Sequence, residues 1–304
     1  MSRKVVVRLK GGLGNQLFCY AAARRLAWVN DAELVLDAVT GFKSDRQYQR
    51  TYALGGFRIP ARLATSSEQM EPLGRLRRLI SRKFSERKPL AHRRYIQQVG
   101  VDFDPGIVKL RLQEGTTYFD AFGQSEWYFA DIRELLMQDF VMSAPRDQPN
   151  LEIAKQIDAS QSVALHMRWF DAGDATHSSN MSLAYYAQGI PQLLTRIGRA
   201  HFFIFSDKPE QAAALLAPMM QGQSYTVVRH NVGSGSNAEA DFWLMRQCRH
   251  FIIGNSTFAW WAAWLGEDRH DGAQVFAPAR NVNPERSVTA WGFPGLLPDR
   301  WTIL

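Results

Sequence analysis

Residues 5–27 read VVVRLKGGLGNQLFCYAAARRLA. An apolar run, Val5-Val6-Val7, meets a glycine turn, Gly11-Gly12-Leu13-Gly14, and then Asn15-Gln16. Beyond the turn, Leu17, Phe18, Ala21, Ala22 and Leu26 recur at helical spacing. The stretch therefore predicts a strand, a loop that exposes its backbone, and a helix N-terminus. Glycine admits positive φ and lets a ligand approach the main chain. The unpaired amides at a helix start favour an anion or a polar ligand. The spacing is not GxGxxG, so the dinucleotide fingerprint is not matched.

Working outward, the same order of strand, loop and helix recurs. Glu33–Asp37 (ELVLD) reads as a second strand and Asp131–Phe140 as an amphipathic helix. Ser143–Asn150 is polar, carries Pro145 and Pro149, and is the best linker candidate. Strands are expected at Ser162–Met167, Phe202–Phe205, Tyr225–Val228, His250–Gly254 and Gln274–Ala277. Helices are expected between them at Leu183–Ile197, Glu210–Met219, Asp241–Cys248 and Thr257–Leu265. This alternation specifies α/β layers. A chain of 304 residues is long enough for two such domains. The natural architecture has a cleft between the domains and ligands at the carboxyl ends of the strands. The expected division is residues 1–148, residues 149–285, and a Pro-, Gly- and Trp-rich tail over 286–304 that packs back on the surface.

A hydrophobic content of 46% with 21% charge is that of a soluble globular protein. Cys19 and Cys248 lie in apolar patterns, as buried reduced thiols of a cytoplasmic protein do, rather than a disulfide framework. No apolar run reaches the roughly 18 residues a membrane span needs, and the first strand follows with no signal-peptide core before it. The net charge of +7 is unevenly spread. Over residues 74–94, Arg75, Arg77, Arg78, Arg82, Lys83, Arg87, Lys88, Arg93 and Arg94 face only Glu86. Leu76, Leu79, Ile80 and Phe84 are interleaved with them at a roughly helical period. Such a stretch reads as a solvated helix or as a contact for anionic lipid head groups or an acidic carrier. No nucleic-acid motif supports a nucleic-acid partner.

Four segments carry chemistry. His166 and Arg168 alternate at the end of the strand VALHMR and so share one face. An arginine there can hold a phosphate with a bidentate fork; pairing with Asp171 or Asp174 is the bland alternative. Ser206-Asp207 follows a second strand, and Asp207 reads either as a ligand group or as a helix cap before Pro209. Gly254-Asn255-Ser256-Thr257-Phe258 forms a third strand–loop–helix junction, with Asn255 and Ser256 as strong cap residues and hydroxyls suited to a diphosphate. Asp241, before an apolar helix, either caps it or accepts hydrogen bonds from a guanine edge. Trp260, Trp261 and Trp264 read as core. Asp102-Phe103-Asp104 resembles a metal-binding DxD, but Pro105-Gly106 makes it a surface turn. No zinc spacing, GxxxxGKS/T phosphate loop or GxSxG elbow is present.

In this order the pieces resemble the α-1,2-fucosyltransferase family, glycosyltransferase family 11. Gly11-Gly12-Leu13-Gly14-Asn15-Gln16-Leu17-Phe18 matches its opening motif. Phe122-Gly123-Gln124-Ser125-Glu126-Trp127-Tyr128-Phe129, running into Asp131-Ile132-Arg133, resembles its middle segment, and the Ser206-Asp207 turn, the Asp241 helix and Gly254–Trp261 follow. The family's HxRRGD-type motif reads here His166-Met167-Arg168-Trp169-Phe170-Asp171, so Trp169 replaces the second arginine and Phe170 the glycine.

The resemblance implies a GT-B fold, α/β, with two Rossmann-like domains facing a cleft. It implies GDP-β-L-fucose as a substrate bound in the C-terminal domain, no cofactor and no metal. It also implies inverting transfer to O2 of a galactose-terminated glycan, which can be lipid-linked, by a cytoplasmic enzyme peripheral to the inner face of the cytoplasmic membrane. On this reading Gly12, Gly14, Asn15, His166, Arg168, Ser206, Asp207, Asp241, Asn255, Ser256, Thr257 and Phe258 bind the donor. Asp171, Arg168, Asn15 and Glu126 serve the chemistry. Asp171 is the first choice of general base, followed by Glu126 and Asp207, with base-free catalysis by the leaving phosphate also open. Two other readings stay open: transfer of another GDP-deoxyhexose such as colitose, and a non-catalytic sugar-nucleotide or glycan-binding protein.

Overall fold

The structure, a computed structural model, describes residues 2–43, 45–46, 48–169, 181–233, 237–279 and 291–304. The chain forms two compact units: Met1–Val141 with Pro294–Leu296, and Met142–Phe293 with Leu297–Leu304.

The first unit is a five-stranded parallel sheet of β1 (Arg3–Arg8), β2 (Ala32–Asp37), β3 (Arg62–Leu63), β4 (Tyr95–Gln97) and β5 (Gly115–Asp120), in the order β3-β2-β1-β5-β4. Val5, Val6 and Val7 are fully buried in the central strand, as expected where a parallel strand is covered on both faces. The helix α1 (Leu13–Trp28) follows β1 directly. Its buried residues run around most of its circumference, including Gln16 and Tyr20. Next come α2 (Gly74–Glu86), the short α3 (Pro105–Val108) and α4 (Arg133–Asp139). The helix expected over Asp131–Phe140 is thus split: Ala130–Ile132 is a 3-10 turn and the α-helix begins at Arg133. Asp104 caps α3, accepting the Gly106 amide at 2.8 Å, which confirms the turn reading of Asp102–Asp104.

Gly123, after β5, has φ of +61°, and a Cβ there would lie 2.5 Å from the Ala22 Cβ of α1. The turn that leads β5 into the middle motif therefore needs glycine twice over, for conformation and for space. Gly123→Ala is expected to destabilise the fold by about 1–2 kcal/mol, read as a lower midpoint in urea unfolding with an unchanged slope.

The second unit is built on β6 (Ser162–Met167), β7 (His201–Ser206), β8 (Ser224–Val227), β9 (His250–Ile252), β10 (Val275–Ala277) and β11 (Thr302–Ile303). These six parallel strands run in the order β11-β10-β9-β6-β7-β8. Counted from β6, this is the 3-2-1-4-5-6 arrangement of the doubly wound nucleotide-binding sheet, whose topological switch lies between its first and fourth strands. Here that point falls between β6 and β9, where Leu165 pairs with Ile252.

The helices of this unit are α5 (Gln148–Asp158), α6 (Leu183–Ile197), α7 (Pro209–Leu216), α8 (Ala238–Met245) and α9 (Thr257–Gly266). Asp147 caps α5, so the end of the expected linker already belongs to a helix. The helix α8 starts three residues before Asp241 because Asn237 caps it, accepting the Ala240 amide at 3.0 Å. In α9 every residue from Ala259 to Leu265 is fully buried, including Trp260, Trp261 and Trp264. Trp301 of the C-terminal segment packs on Trp260 with ring centroids 5.5 Å apart, and that segment supplies the edge strand β11. Cys19 and Cys248 are buried free thiols; burial pushes Cys19 up to about 11 and Cys248 higher.

Candidate functional site

In the second unit the site residues gather at the switch point. His166 is the penultimate residue of β6 and is buried. Burial, reinforced by the Arg168 charge, pushes its imidazole down to about 3, so the ring is neutral at physiological pH. Its carbonyl accepts the Tyr186 hydroxyl at 2.9 Å, but Nδ1 is buried with no hydrogen-bond partner among the described residues. An unpartnered buried polar atom costs about 1–3 kcal/mol, which a polar ligand would recover. The backbone of Gly254 passes close beside it: a Cβ there would sit 3.1 Å from the His166 carbonyl oxygen and 3.5 Å from Nδ1.

Arg168 follows β6. Its Nη1 lies 2.6 Å from Asp207 Oδ2, while Asp207 Oδ1 accepts the Trp169 amide at 3.0 Å. Asp207 thus holds both the guanidinium and the backbone after β6. It does not cap α7, whose N-cap position is Lys208. The reason is geometric: Ser206 Oγ already closes the turn by accepting the Lys208 amide at 3.0 Å, and the carboxylate points to β6 instead. Trp169, which replaces the expected second arginine, packs against the apolar cluster of this unit that includes Met167 and Tyr185. Phe170 and Asp171, the expected base, lie outside the described residues, as does Asp174.

Opposite β6, the chain leaves β9 through Gly254-Asn255-Ser256 into α9. Asn255 is buried, and Ser256 occupies the N-cap position without making the expected side-chain cap. Instead its amide folds back to the Gly254 carbonyl at 2.8 Å, and its carbonyl accepts the Trp260 amide at 2.9 Å. The amides of Thr257, Phe258 and Ala259 have no acceptor within a helix that starts there. They present the positive end of the helix dipole together with the Ser256 and Thr257 side chains. The Phe258 ring lies 6.2 Å from the His166 ring and 5.2 Å from Phe242 of α8, tying the third junction to the Asp241 helix.

Asp241 does not cap α8, because Asn237 does. Its Oδ1 accepts Asn231 Nδ2 at 2.7 Å. Asn231 in turn exchanges amide hydrogen bonds with Asn150 at 3.0 and 2.9 Å, and Asn150 is held by Asp147. Burial raises the Asp241 carboxyl to about 6, against the opposing pull of the Asn231 bond. Nothing in the local sequence around Asn150 or Asn231 signals this support.

In the first unit, Gly12 is the N-cap residue of α1 and makes no side-chain cap. A Cβ there would meet Arg50 Nη1 at 2.1 Å, so a guanidinium lies over the glycine loop. Gly14 is buried in the first turn of α1. Asn15 Oδ1 accepts Gln124 Nε2 at 2.8 Å, which joins the opening motif to the middle segment. Gln16, fully buried, donates to the Gly11 and Thr51 carbonyls at 2.9 Å each and accepts the Ala53 amide at 2.9 Å, so it is a structural staple. Glu126 is buried in a 3-10 turn over Glu126–Tyr128 whose first amide bond is made by Ser125 Oγ. Below the loop, Asp120 holds Lys10 at 2.7 Å, Arg8 at 3.1 Å and the Tyr95 hydroxyl at 2.8 Å. Burial alone would raise Asp120, but Lys10 and Arg8 outweigh it and keep the carboxyl below its ordinary value. This cluster was not legible in the sequence, because Arg8, Tyr95 and Asp120 lie on three separate strands and Lys10 in the loop after the first of them. Among the described residues no group of His, Cys, Asp and Glu has the makings of a metal site.

The profile of glycosyl transferase family 11 matches residues 4–279. The chain belongs to glycosyltransferase family 11. It is 28% identical to an alpha-1,2-colitosyltransferase from Escherichia coli over 86% of this chain and 87% of that protein. It is also 28% identical to the O-antigen biosynthesis glycosyltransferase WbnK of Escherichia coli, over 84% of this chain and 88% of that one. Among solved structures it resembles NodZ α-1,6-fucosyltransferase soaked with GDP-fucose, with a TM-score of 0.51 at 15% identity, covering 87% of this chain and 93% of that one. The family 11 chain therefore has the GT-B-type α/β fold, with a Rossmann-like parallel sheet in each unit.

Proposed function

We propose that this family 11 enzyme moves L-fucose from GDP-β-L-fucose to O2 of a galactoside in a glycan, with inversion and without a metal. The observation that carries the reading is the second unit's switch point, where Arg168 and the amide end of α9 flank a neutral, unpartnered His166. Breaking the donor's C1–O bond leaves its electron pair on the diphosphate, and charge grows there in the transition state. Arg168 and the amides of Thr257, Phe258 and Ala259 stabilise that charge, with Ser256 and Thr257 hydroxyls as further donors. His166 braces the ribose or a phosphate oxygen as an uncharged partner, and Asp241 accepts from the guanine edge. Gly12, Gly14 and Asn15 of the first unit help to hold the donor. The acceptor O2 attacks C1 from the opposite face and gives its proton to a base. Asp171 is assigned that role; Asp207 is occupied by Arg168, and Glu126 is the other carboxylate candidate. The acceptor is a lipid-linked glycan presented at the inner face of the cytoplasmic membrane.

A second reading has a specific motive. Trp169 removes a cation that the family motif carries, and one relative bears the name of a colitosyltransferase. Colitose is fucose without its O3, so a site lacking a donor for O3 would accept it. The test is GDP release in EDTA from GDP-fucose and from GDP-colitose over a panel of β-galactosides. Galactoside-dependent release from GDP-fucose is expected. Release from GDP-colitose alone would establish the second donor, and GDP binding without release from either would make the protein a non-catalytic binder.

A further inference from the structure

The helix α2 is amphipathic in the inverted sense. Its packed face is polar: Arg78 Nη1 donates to the Gln69 carbonyl at 2.7 Å, and Ser85 Oγ accepts the Tyr95 amide of β4 at 3.0 Å. Its outward face is apolar. Leu73, Leu76, Ile80 and Phe84, spaced three and four residues apart, are 70%, 51%, 45% and 61% exposed, and that spacing puts them on one side of a helix. Arg77 and Lys83 flank this stripe, and Arg75, Arg87 and Lys88 extend its cationic border; all five are exposed. Past the helix end, a shallow concavity lined by Lys88, His92, Arg94 and Gln113 continues the basic surface.

We propose that α2 lies in the head-group region of an anionic phospholipid bilayer, with the Leu73–Phe84 stripe among the acyl chains and the basic border on lipid phosphates. The charge pattern selects this occupant. A second copy of the chain would set two cationic borders against each other. A nucleic acid would use the cations but leave the apolar stripe in water. A bilayer with acidic head groups satisfies both, since it takes up apolar side chains and attracts each nearby Lys or Arg. The inference stands on α2 alone and does not depend on the donor or acceptor of the proposed reaction.

The test is co-sedimentation of the full chain with vesicles of phosphatidylcholine alone and of phosphatidylcholine with phosphatidylglycerol. Binding to the anionic vesicles is expected, with little to the neutral ones, and salt should weaken it. The variant Leu76→Gln/Ile80→Gln/Phe84→Gln leaves the packed face untouched and should bind at least roughly tenfold more weakly. The variant Arg77→Gln/Lys83→Gln/Arg87→Gln keeps the stripe and should bind roughly a hundredfold more weakly. Circular dichroism melts establish that each variant is folded. Equal binding to both vesicle compositions, or native binding by either folded variant, overturns the proposal. So does a dimer that the stripe variant dissociates, if the native protein ignores vesicles.

Discussion

Arg168→Ala is expected to lower turnover by roughly two to three orders of magnitude, the usual effect of removing one preorganised donor from developing transition-state charge. The fold should survive, because the Arg168–Asp207 pair joins two partly exposed side chains, and such pairs add about 0–1 kcal/mol at most. Steady-state kinetics with GDP-fucose should place most of the loss in kcat, since the diphosphate gains charge only as the C1–O bond breaks. Arg168→Lys keeps the charge but loses the planar fork and should fall between native and alanine. Asp207→Asn releases both the guanidinium and the Trp169 amide; it tests whether the carboxylate acts by placing Arg168. Retention of more than roughly a tenth of native activity by Arg168→Ala would remove Arg168 from the leaving-group role.

Asp241→Asn is expected to weaken GDP binding by roughly tenfold to a hundredfold, the range for a lost hydrogen bond to a charged group. The guanine edge offers only donors to this position, so the carboxylate must be ionised to receive it. With its carboxyl raised to about 6 by burial, native GDP affinity should fall as pH drops below 6. Stability should move the other way. The folded state holds this proton more tightly than the unfolded chain, whose aspartates titrate near about 3.9. Its contribution therefore favours the fold at low pH and fades as pH rises through 6. Titration calorimetry with GDP at neutral pH and at pH 5, beside urea unfolding at the same values, reads both trends. Native-like GDP affinity in Asp241→Asn, or a flat native profile, would take Asp241 away from the guanine.

Both residues stood out in the sequence because each is a charged side chain beside an apolar run, Arg168 after the strand pattern of β6 and Asp241 before the helical pattern of α8. The burial of Val5–Val7 and the run of α1 were legible from an apolar stretch broken by glycines. What held these residues in place was not legible. Asn231 holds Asp241 and is itself held by Asn150 from 81 residues away, and no local pattern records such a pairing. Arg168 pairs with Asp207, far along the chain, because β6 and β7 are neighbours in register. The start of α8 was misplaced because Asn237 competes for the cap that Asp241 could have made. The period of α2 was visible, but period alone does not say which face a helix turns to its sheet.

The helix α9 has no solvent face from Ala259 to Leu265. It is a post set in concrete: its amide end is fixed before any donor arrives, and little ordering entropy is then lost on binding. The same burial narrows how this lineage can change its chemistry. A new side chain along the helix would open or overfill the core, so altered sugar preference has to arise outside Ala259–Leu265. Libraries that diversify α9 should yield mostly unfolded chains.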